Sequence, residues 1–233
     1  MEIGGRSPAS LLDGVATWWS VDPLNPIDPV PDGPVRALRA RAEALPAQIE
    51  RVDAVFACNS FQHIADLAGA YREIARVLSP HGFVYACFGP IWTAPDGAHV
   101  ENLVVDGRRY DFWTPPTLMP AWSHLTLSAG EYRALAAELH GRRLARALTD
   151  YVTGSDWINR ATLRDHLSLP PEAGLEIVSA RSASRFGYGF APPKPPPRGG
   201  WNLGLAAAVA ATGMSARELR ARDLELVMRP VRR

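Results

Sequence analysis

Three histidines, one acid and a pair of glycines are the residues of this 233-residue chain whose types and spacing suit chemistry. His63, His99 and His124 carry imidazoles with an ordinary pKa of about 6.5, fit for moving a proton near neutral pH. Gly4-Gly5 make a tight turn, and Arg6-Ser7-Pro8 follow, with Ser7 placed to cap a helix and Pro8 at its first position. Glycines there let backbone approach a ligand closely, and the helix start offers N–H groups to it. Asp22 stands 18 residues beyond Gly4, at the end of the apolar run Val15–Val21. A carboxylate so placed accepts hydrogen bonds from ribose hydroxyls, and its other reading is a turn residue ahead of Pro23. The chemistry these residues describe is the holding of a nucleoside-bearing cofactor and the removal of a proton from an acceptor.

The elements that must position them centre on Val52–Gly89. The apolar run Ala54-Val-Phe-Ala57 stops at Cys58-Asn59-Ser60. A helix-period segment, Leu67–Leu78, puts Ala70, Ile74, Val77 and Leu78 on one face. Ser79-Pro-His-Gly82 breaks that helix, and Phe83–Phe88 is a second strand. Strand, helix and strand with short connections make a right-handed crossover of a parallel sheet, and continuous apolarity in both strands expects both sheet faces to be covered. The fold class is α/β: a Rossmann-like, doubly wound, mostly parallel sheet.

The run VDAVFACNSFQHIADLAGAYREIARVLSPHGFVYACFGPIW resembles the fourth-to-fifth-strand segment of class I S-adenosylmethionine-dependent methyltransferases, of the type 11 kind. There an Asp enters the fourth strand, a polar loop lines the cofactor, a His opens the next helix, and R-V-L-x-P-x-G leads into the fifth strand. The resemblance implies S-adenosylmethionine as cofactor, S-adenosylhomocysteine as product, and Asn59, Ser60 and His63 beside the cofactor. Glu2, Gly4, Gly5 and Arg6 fall on the family's E/D-x-G-x-G-x-G motif, with Arg6 and Pro8 standing where the second and third glycines are expected. Asp22, with Pro23 and Leu24, falls on the ribose position. Ala42 and Glu43, in the turn Arg41–Pro46, fall on the adenine-facing segment, with Arg41 where the family has Asp. A first strand starting at Glu2 is short, which implies either a chain that begins further upstream or a short central strand.

From Thr93 onward the chain reads as an insertion. Turn signals (Asp106-Gly107, Thr114-Pro-Pro116) interrupt it, and helices are expected from Ser128 to about His140, on through Arg142–Tyr151, and over Asn159–Leu167. Ser128 with Glu131 and Ser215 with Glu218 are capping-box pairs. Segments G-P-x-W-x-x-P-x-G-x-H and W-x-H-L are similar to those of methyltransferases that build a substrate lid here. His99 and His124 are then the candidate bases, with His63 next to the cofactor loop. With Asp96 or Glu101 they have ligand types that suit a divalent ion, but the spacing fits no closed zinc motif, and no metal is expected. Trp92, Tyr110, Trp113, Trp122 and Trp157 are either the lobe's core or a wall for an aromatic acceptor. His81 reads as a turn residue, and His140 and His166 as exposed helix positions.

Three segments result: 1–92 as cofactor-binding core, 93–172 as lid, and 173–233 returning to the sheet with strands Leu175–Ala180 and Asp223–Met228, the last antiparallel. Residues 191–200 are expected to be extended, and Leu203–Thr212 helical. A hydrophobic content of 47% supports a real core and excludes global disorder. With a net charge of +1 and basic residues dispersed, no nucleic-acid footprint exists. No apolar run is long enough for a membrane span, and Met1-Glu-Ile lacks the positive start of a signal peptide. Cys58 and Cys87 sit at the ends of neighbouring strands and read as reduced, buried thiols. The expectation is a cytoplasmic methyltransferase of a small-molecule acceptor in biosynthesis, with a homodimer as one way to complete a sheet whose central strand is short. Its rivals are a methyltransferase-like enzyme with another reaction, such as cyclisation, and a non-catalytic binding protein of the same fold.

Overall fold

The computed structural model describes residues 1–4, 12–24, 33–114, 117–183 and 198–231, and the side chains of all these except 198–202. They form two compact units. The first is Met1–Gly89 with Arg164–Ser182 and Leu224–Arg233; the second is Pro90–Leu163 with Ala183–Asp223.

The first unit holds a seven-stranded sheet. Its strands are β1 (Glu2–Ile3), β2 (Trp18–Val21), β3 (Val35–Leu38), β4 (Val52–Cys58), β5 (Leu78–Phe88), β8 (Leu175–Ala183) and β9 (Asp223–Pro230), in the order β3-β2-β1-β4-β5-β9-β8. The first five pair in parallel, and β9 runs antiparallel to β5. This is the doubly wound arrangement that the crossover Val52–Gly89 implies, and two of its register pairs decide the site: Glu2 opposite Phe56, and Cys58 opposite Cys87. Helix α1 (Leu67–Val77) starts where the Asp66 carboxylate caps the Gly69 N–H at 2.8 Å, and it buries Ala70, Ile74 and Val77. No helix of the described residues is long and apolar enough to cross a membrane.

Several sequence expectations shift. The strand expected over Val15–Val21 is shortened to Trp18–Val21. β5 begins at Leu78, directly on the end of α1, because Leu78 itself adopts extended backbone (φ −72°, ψ 133°); no separate turn at Ser79–Gly82 is needed. The two sheet faces also differ. Val55, Ala57, Val84, Ala86, Leu224, Leu226 and Met228 are buried on one. On the other, Phe56 stacks on Trp18 with centroids 5.8 Å apart and takes the edge of Phe83, which stays 43% exposed, so rings shield one another there. The helix expected to start at Pro8 lies mostly outside the described residues, and residues 191–197 lie wholly outside them. Arg198–Gly200, expected to be extended, open helix α6 (Arg198–Thr212).

The second unit is built on a two-stranded hairpin, β6 (Leu103–Val105) and β7 (Arg108–Tyr110), turning at Asp106-Gly107 where both residues have positive φ. Helices α2 (Ser123–Thr126), α3 (Ala129–His140), α4 (Arg142–Gly154), α6 and α7 (Ala216–Arg220) complete it. The capping boxes at Ser128–Glu131 and Ser215–Glu218 are both formed. α3 does not continue into α4: Gly141, at φ 83°, separates them. Helix α5 (Leu163–Glu172) begins later than Asn159, whose side chain accepts the Ala161 N–H at 3.2 Å and holds a turn instead. His166 on α5 is fully buried, against the expectation of exposure, with its ring 4.9 Å from Phe88. One core of the second unit gathers Tyr132, Ala136, Leu144, Leu148 and Val152; another gathers Trp122, Leu205, Ala208 and Leu219.

Candidate cofactor site and insertion histidines

At the carboxyl ends of the parallel strands, β1 gives way to a turn at Gly4. Its N–H donates to Val21 O at 2.8 Å, so the turn is tied to the end of β2. Gly4 has φ +70°, and a Cβ there would stand 2.6 Å from the Ser60 Cβ, nearer than real carbons approach. Both the backbone conformation and the packing therefore require glycine. Ser60 follows β4 and is buried, yet its Oγ has no hydrogen-bond partner among the described residues. Asn59, in the left-handed region at φ 52°, donates its N–H to Cys87 O at 2.8 Å, and the His63 N–H closes on Ser60 O at 2.8 Å. Between them the short 3-10 turn Phe61–His63 buries Gln62, whose Oε1 is also unpartnered among the described residues. A buried acceptor or hydroxyl left alone costs about 1–3 kcal/mol, a cost that a bound polar ligand removes.

The flanking candidates occupy the neighbouring strand ends. Asp22 follows β2 with its N–H on Leu38 O, and its Oδ1 accepts the Leu24 N–H at 2.7 Å over Pro23. It is thus the turn residue of its second reading, with its half-buried carboxylate still at the strand end. Pro23 and Leu24 are exposed. Ala42 is buried, and Glu43 is half-buried, 3.5 Å from the Arg41 guanidinium. Their turn is fastened to α1: the Leu45 N–H donates to Glu73 at 3.1 Å, and Arg76 donates to Leu45 O at 3.0 Å. The hydrogen-bonded Arg76 guanidinium, more than the Leu45 N–H, holds the Glu73 carboxyl below its usual range. Glu2 is buried, and its Oε2 accepts the Trp18 indole N–H at 3.3 Å, so it braces β1 against β2. Gly5 and Arg6 lie outside the described residues. Gly4, Asn59 and Ser60 are brought together, with Asp22 and His63 on the adjoining turns.

His99 and His124 belong to the second unit. His99 is buried in the left-handed region (φ 46°), with its ring 4.4 Å from that of Phe112. Its Nδ1 lies 3.4 Å from Pro90 O and its Nε2 3.6 Å from the Glu101 carboxylate. Tyr151 hydroxyl donates to His99 O and accepts the Glu101 N–H, and Trp157 donates to Glu101 at 2.9 Å. The half-buried His124 ring donates from Nε2 to Trp92 O at 2.7 Å and packs edge-on against Trp92. Desolvation, only partly offset by that carbonyl, pushes its pKa down to about 4. Near neutral pH it is an uncharged ring that accepts a proton weakly. Of the aromatic candidates, Trp122 is core: fully buried, it donates its indole N–H to both Thr93 O and Leu219 O.

Residues 21–86 match the family model described as "Methyltransferase domain". The strand order, with an antiparallel strand between β5 and the edge, is the Rossmann-like arrangement of that class. That match spans less than a third of the chain and makes this segment similar to a methyltransferase domain. Among solved structures, an S-adenosylmethionine-dependent methyltransferase from Mesorhizobium loti is 16% identical over 86% of this chain and 71% of its own, with a TM-score of 0.43. A complex of the Haloferax volcanii Trm112 methyltransferase activator with its putative methyltransferase gives 14% over 100% and 81%, with a TM-score of 0.47. The [4+2]-cyclase SpnF gives 19% over 85% and 58%, with a TM-score of 0.39. No curated protein sequence matches the chain.

S-adenosylmethionine is the cofactor that the resemblance implies, and the described residues fit it: a glycine that close contact with the Ser60 side chain requires, beside buried polar atoms without partners among the described residues. Gln62 is a candidate that sequence reasoning passed over. Its signal was a polar residue between Phe61 and His63, in a turn that otherwise buries apolar surface.

Proposed function

We propose that this protein moves the methyl group of S-adenosylmethionine to a small-molecule acceptor, as a cytoplasmic enzyme of biosynthesis, and releases S-adenosylhomocysteine. The observation that carries the reading is Gly4 pressed on Ser60, with the Ser60 hydroxyl buried and unpartnered among the described residues. The sulfonium supplies the electrophile, so the chain's work is to bind it, align the acceptor and take up a proton. Gly4, Gly5, Arg6, Asn59 and Ser60 receive the methionine end, Asp22 to Leu24 the ribose, and Ala42 with Glu43 the adenine; His63 belongs to the same shell, and Glu2 acts by fixing β1. The insertion selects the acceptor. His99 is the better base of its two histidines, because His124 is held at low basicity.

Calorimetric titration with S-adenosylhomocysteine tests this directly. Micromolar binding is expected, about −8 kcal/mol, and Asp22→Ala should weaken it at least tenfold; an unchanged affinity would remove Asp22 from the site. A rival, an enzyme that binds this cofactor yet runs another reaction, is favoured by Arg41, which sits on Glu43 where the resemblance expects an Asp. Tight binding without methyl transfer to any acceptor in a broad panel would select the rival. If turnover of His99→Ala keeps its wild-type profile from about pH 6 to about pH 9, His99 is not the base.

A further inference from the structure

Cys58 ends β4 and Cys87 lies directly across from it on β5, as register partners in a parallel pair. Neither is in a disulfide. Side chains of paired parallel residues leave the same sheet face, and neighbouring strands run about 4.8 Å apart, inside the Cα separation a disulfide spans. Cys58 is exposed and Cys87 buried, the combination of one thiol that meets an oxidant and one that waits behind it. Immediately after Cys58 come Asn59, whose N–H is held by the Cys87 carbonyl at 2.8 Å, and Ser60, packed against Gly4 without slack.

We propose that Cys58 and Cys87 form an oxidant-closed latch on the cofactor loop. Peroxide oxidises the Cys58 thiol to a sulfenic acid with release of one water. The Cys87 thiol attacks that sulfur and expels the second water, so two electrons and two protons pass from the thiols to the peroxide and one S–S bond forms. The new bond forces the disulfide's own Cα and Cβ geometry on Cys58 and so on the backbone that leads into Asn59 and Ser60, and the Gly4 turn leaves Ser60 no room to shift. Partial desolvation at the strand end, with a smaller contribution from the Glu2 carboxylate, raises the Cys58 pKa. The latch therefore closes slowly at neutral pH and faster as pH rises.

The regulatory consequence rests on the proposed cofactor site; the crosslink does not. The full chain is treated with hydrogen peroxide, alkylated and mapped by mass spectrometry, and its S-adenosylhomocysteine affinity is measured reduced, oxidised and re-reduced. A Cys58–Cys87 linked peptide is expected, absent in Cys58→Ser and Cys87→Ser, with affinity falling at least tenfold on oxidation and returning with dithiothreitol. Sulfinic acid at Cys58 with Cys87 still alkylated, or linkage only between chains, overturns the latch. A linked peptide with unchanged affinity overturns its effect on the site. Failure of the reduced protein to bind the cofactor product overturns the functional reading instead, and the peptide map still decides the crosslink.

Discussion

The two units are held by different physics. In the first, parallel register and apolar burial do most of the work: Val55, Ile74, Val84 and Leu226 are fully buried between sheet and helix. In the second, long irregular segments are tied down by polar groups. The Arg222 guanidinium takes the Asp96 carboxylate through Nε and Nη2, at 2.9–3.1 Å, and Asp223 through Nη1, at 2.8 Å. Trp122 pins two backbone carbonyls with one N–H. An apolar core loses stability in proportion to the volume a substitution removes, whereas a polar tether also leaves its remaining partner buried and unsatisfied.

The largest break should come at Arg222. Arg222→Met leaves the Asp96 and Asp223 carboxylates, both largely buried, without their shared cation. A loss of about 4 kcal/mol is expected, as for a buried pair deprived of one partner. Hydrogen exchange should show it as loosening of residues 90–100 and 216–223 before the sheet. A uniform loss of protection, or a change under about 1 kcal/mol, would make the tether incidental.

Each unit also holds a histidine whose pKa desolvation pushes down, which gives the comparison a pH axis. His166 lies in the first unit with neither ring nitrogen partnered among the described residues, and desolvation pushes its pKa down to about 4. An unfolded histidine takes a proton near pH 6.5, while the folded ring refuses it until about 4. Stability from this group is therefore level above about pH 6.5 and falls as pH drops through the window to about 4, by about 3 kcal/mol at about 1.4 kcal/mol per unit. His124 in the second unit moves in the same direction, with the Trp92 carbonyl as partner. His166→Leu should flatten the acid slope of chemical unfolding; an unaltered slope would mean the ring is solvated in the folded protein.

Trp122→Phe comes next, at about 2 kcal/mol, for it strands the Thr93 and Leu219 carbonyls while keeping most of the ring volume. Thermal unfolding followed by the remaining tryptophans measures it.

The same division explains what was legible in the sequence. The crossover Val52–Gly89 could be read because continuous apolar runs and period-3.6 apolarity are local signals, and α1 begins and ends within a residue of where the latter places it. The candidate residues on it, Asn59 and Ser60, came from the resemblance, and they lie where the loop leaves the end of β4. Gly4 was legible as a turn, but its contact with Ser60 is a long-range fact that spacing does not contain. In the second unit the decisive contacts, Asp96 with Arg222 and Trp122 with Leu219, join residues about a hundred positions apart and have no periodic signature. His166 was misread for a related reason: a lone histidine on a short amphipathic helix looks polar until the sheet that covers it is known.

Helix caps are a polar device present in both units, and they sharpen the comparison to its smallest effect. Asp66 caps α1 through the Gly69 N–H, and Ser128 caps α3 in a reciprocal box with Glu131. Both are surface interactions whose partners lie three residues away, so their strength depends on local backbone alone. Asp66→Ala and Ser128→Ala should each cost about 1 kcal/mol, despite the different physics of the units around them. Denaturant midpoints at unchanged slope would measure this. If Ser128→Ala costs several-fold more than Asp66→Ala, the start of α3 is itself one of the second unit's tethers, and local legibility in that unit is poorer than its capping boxes suggest.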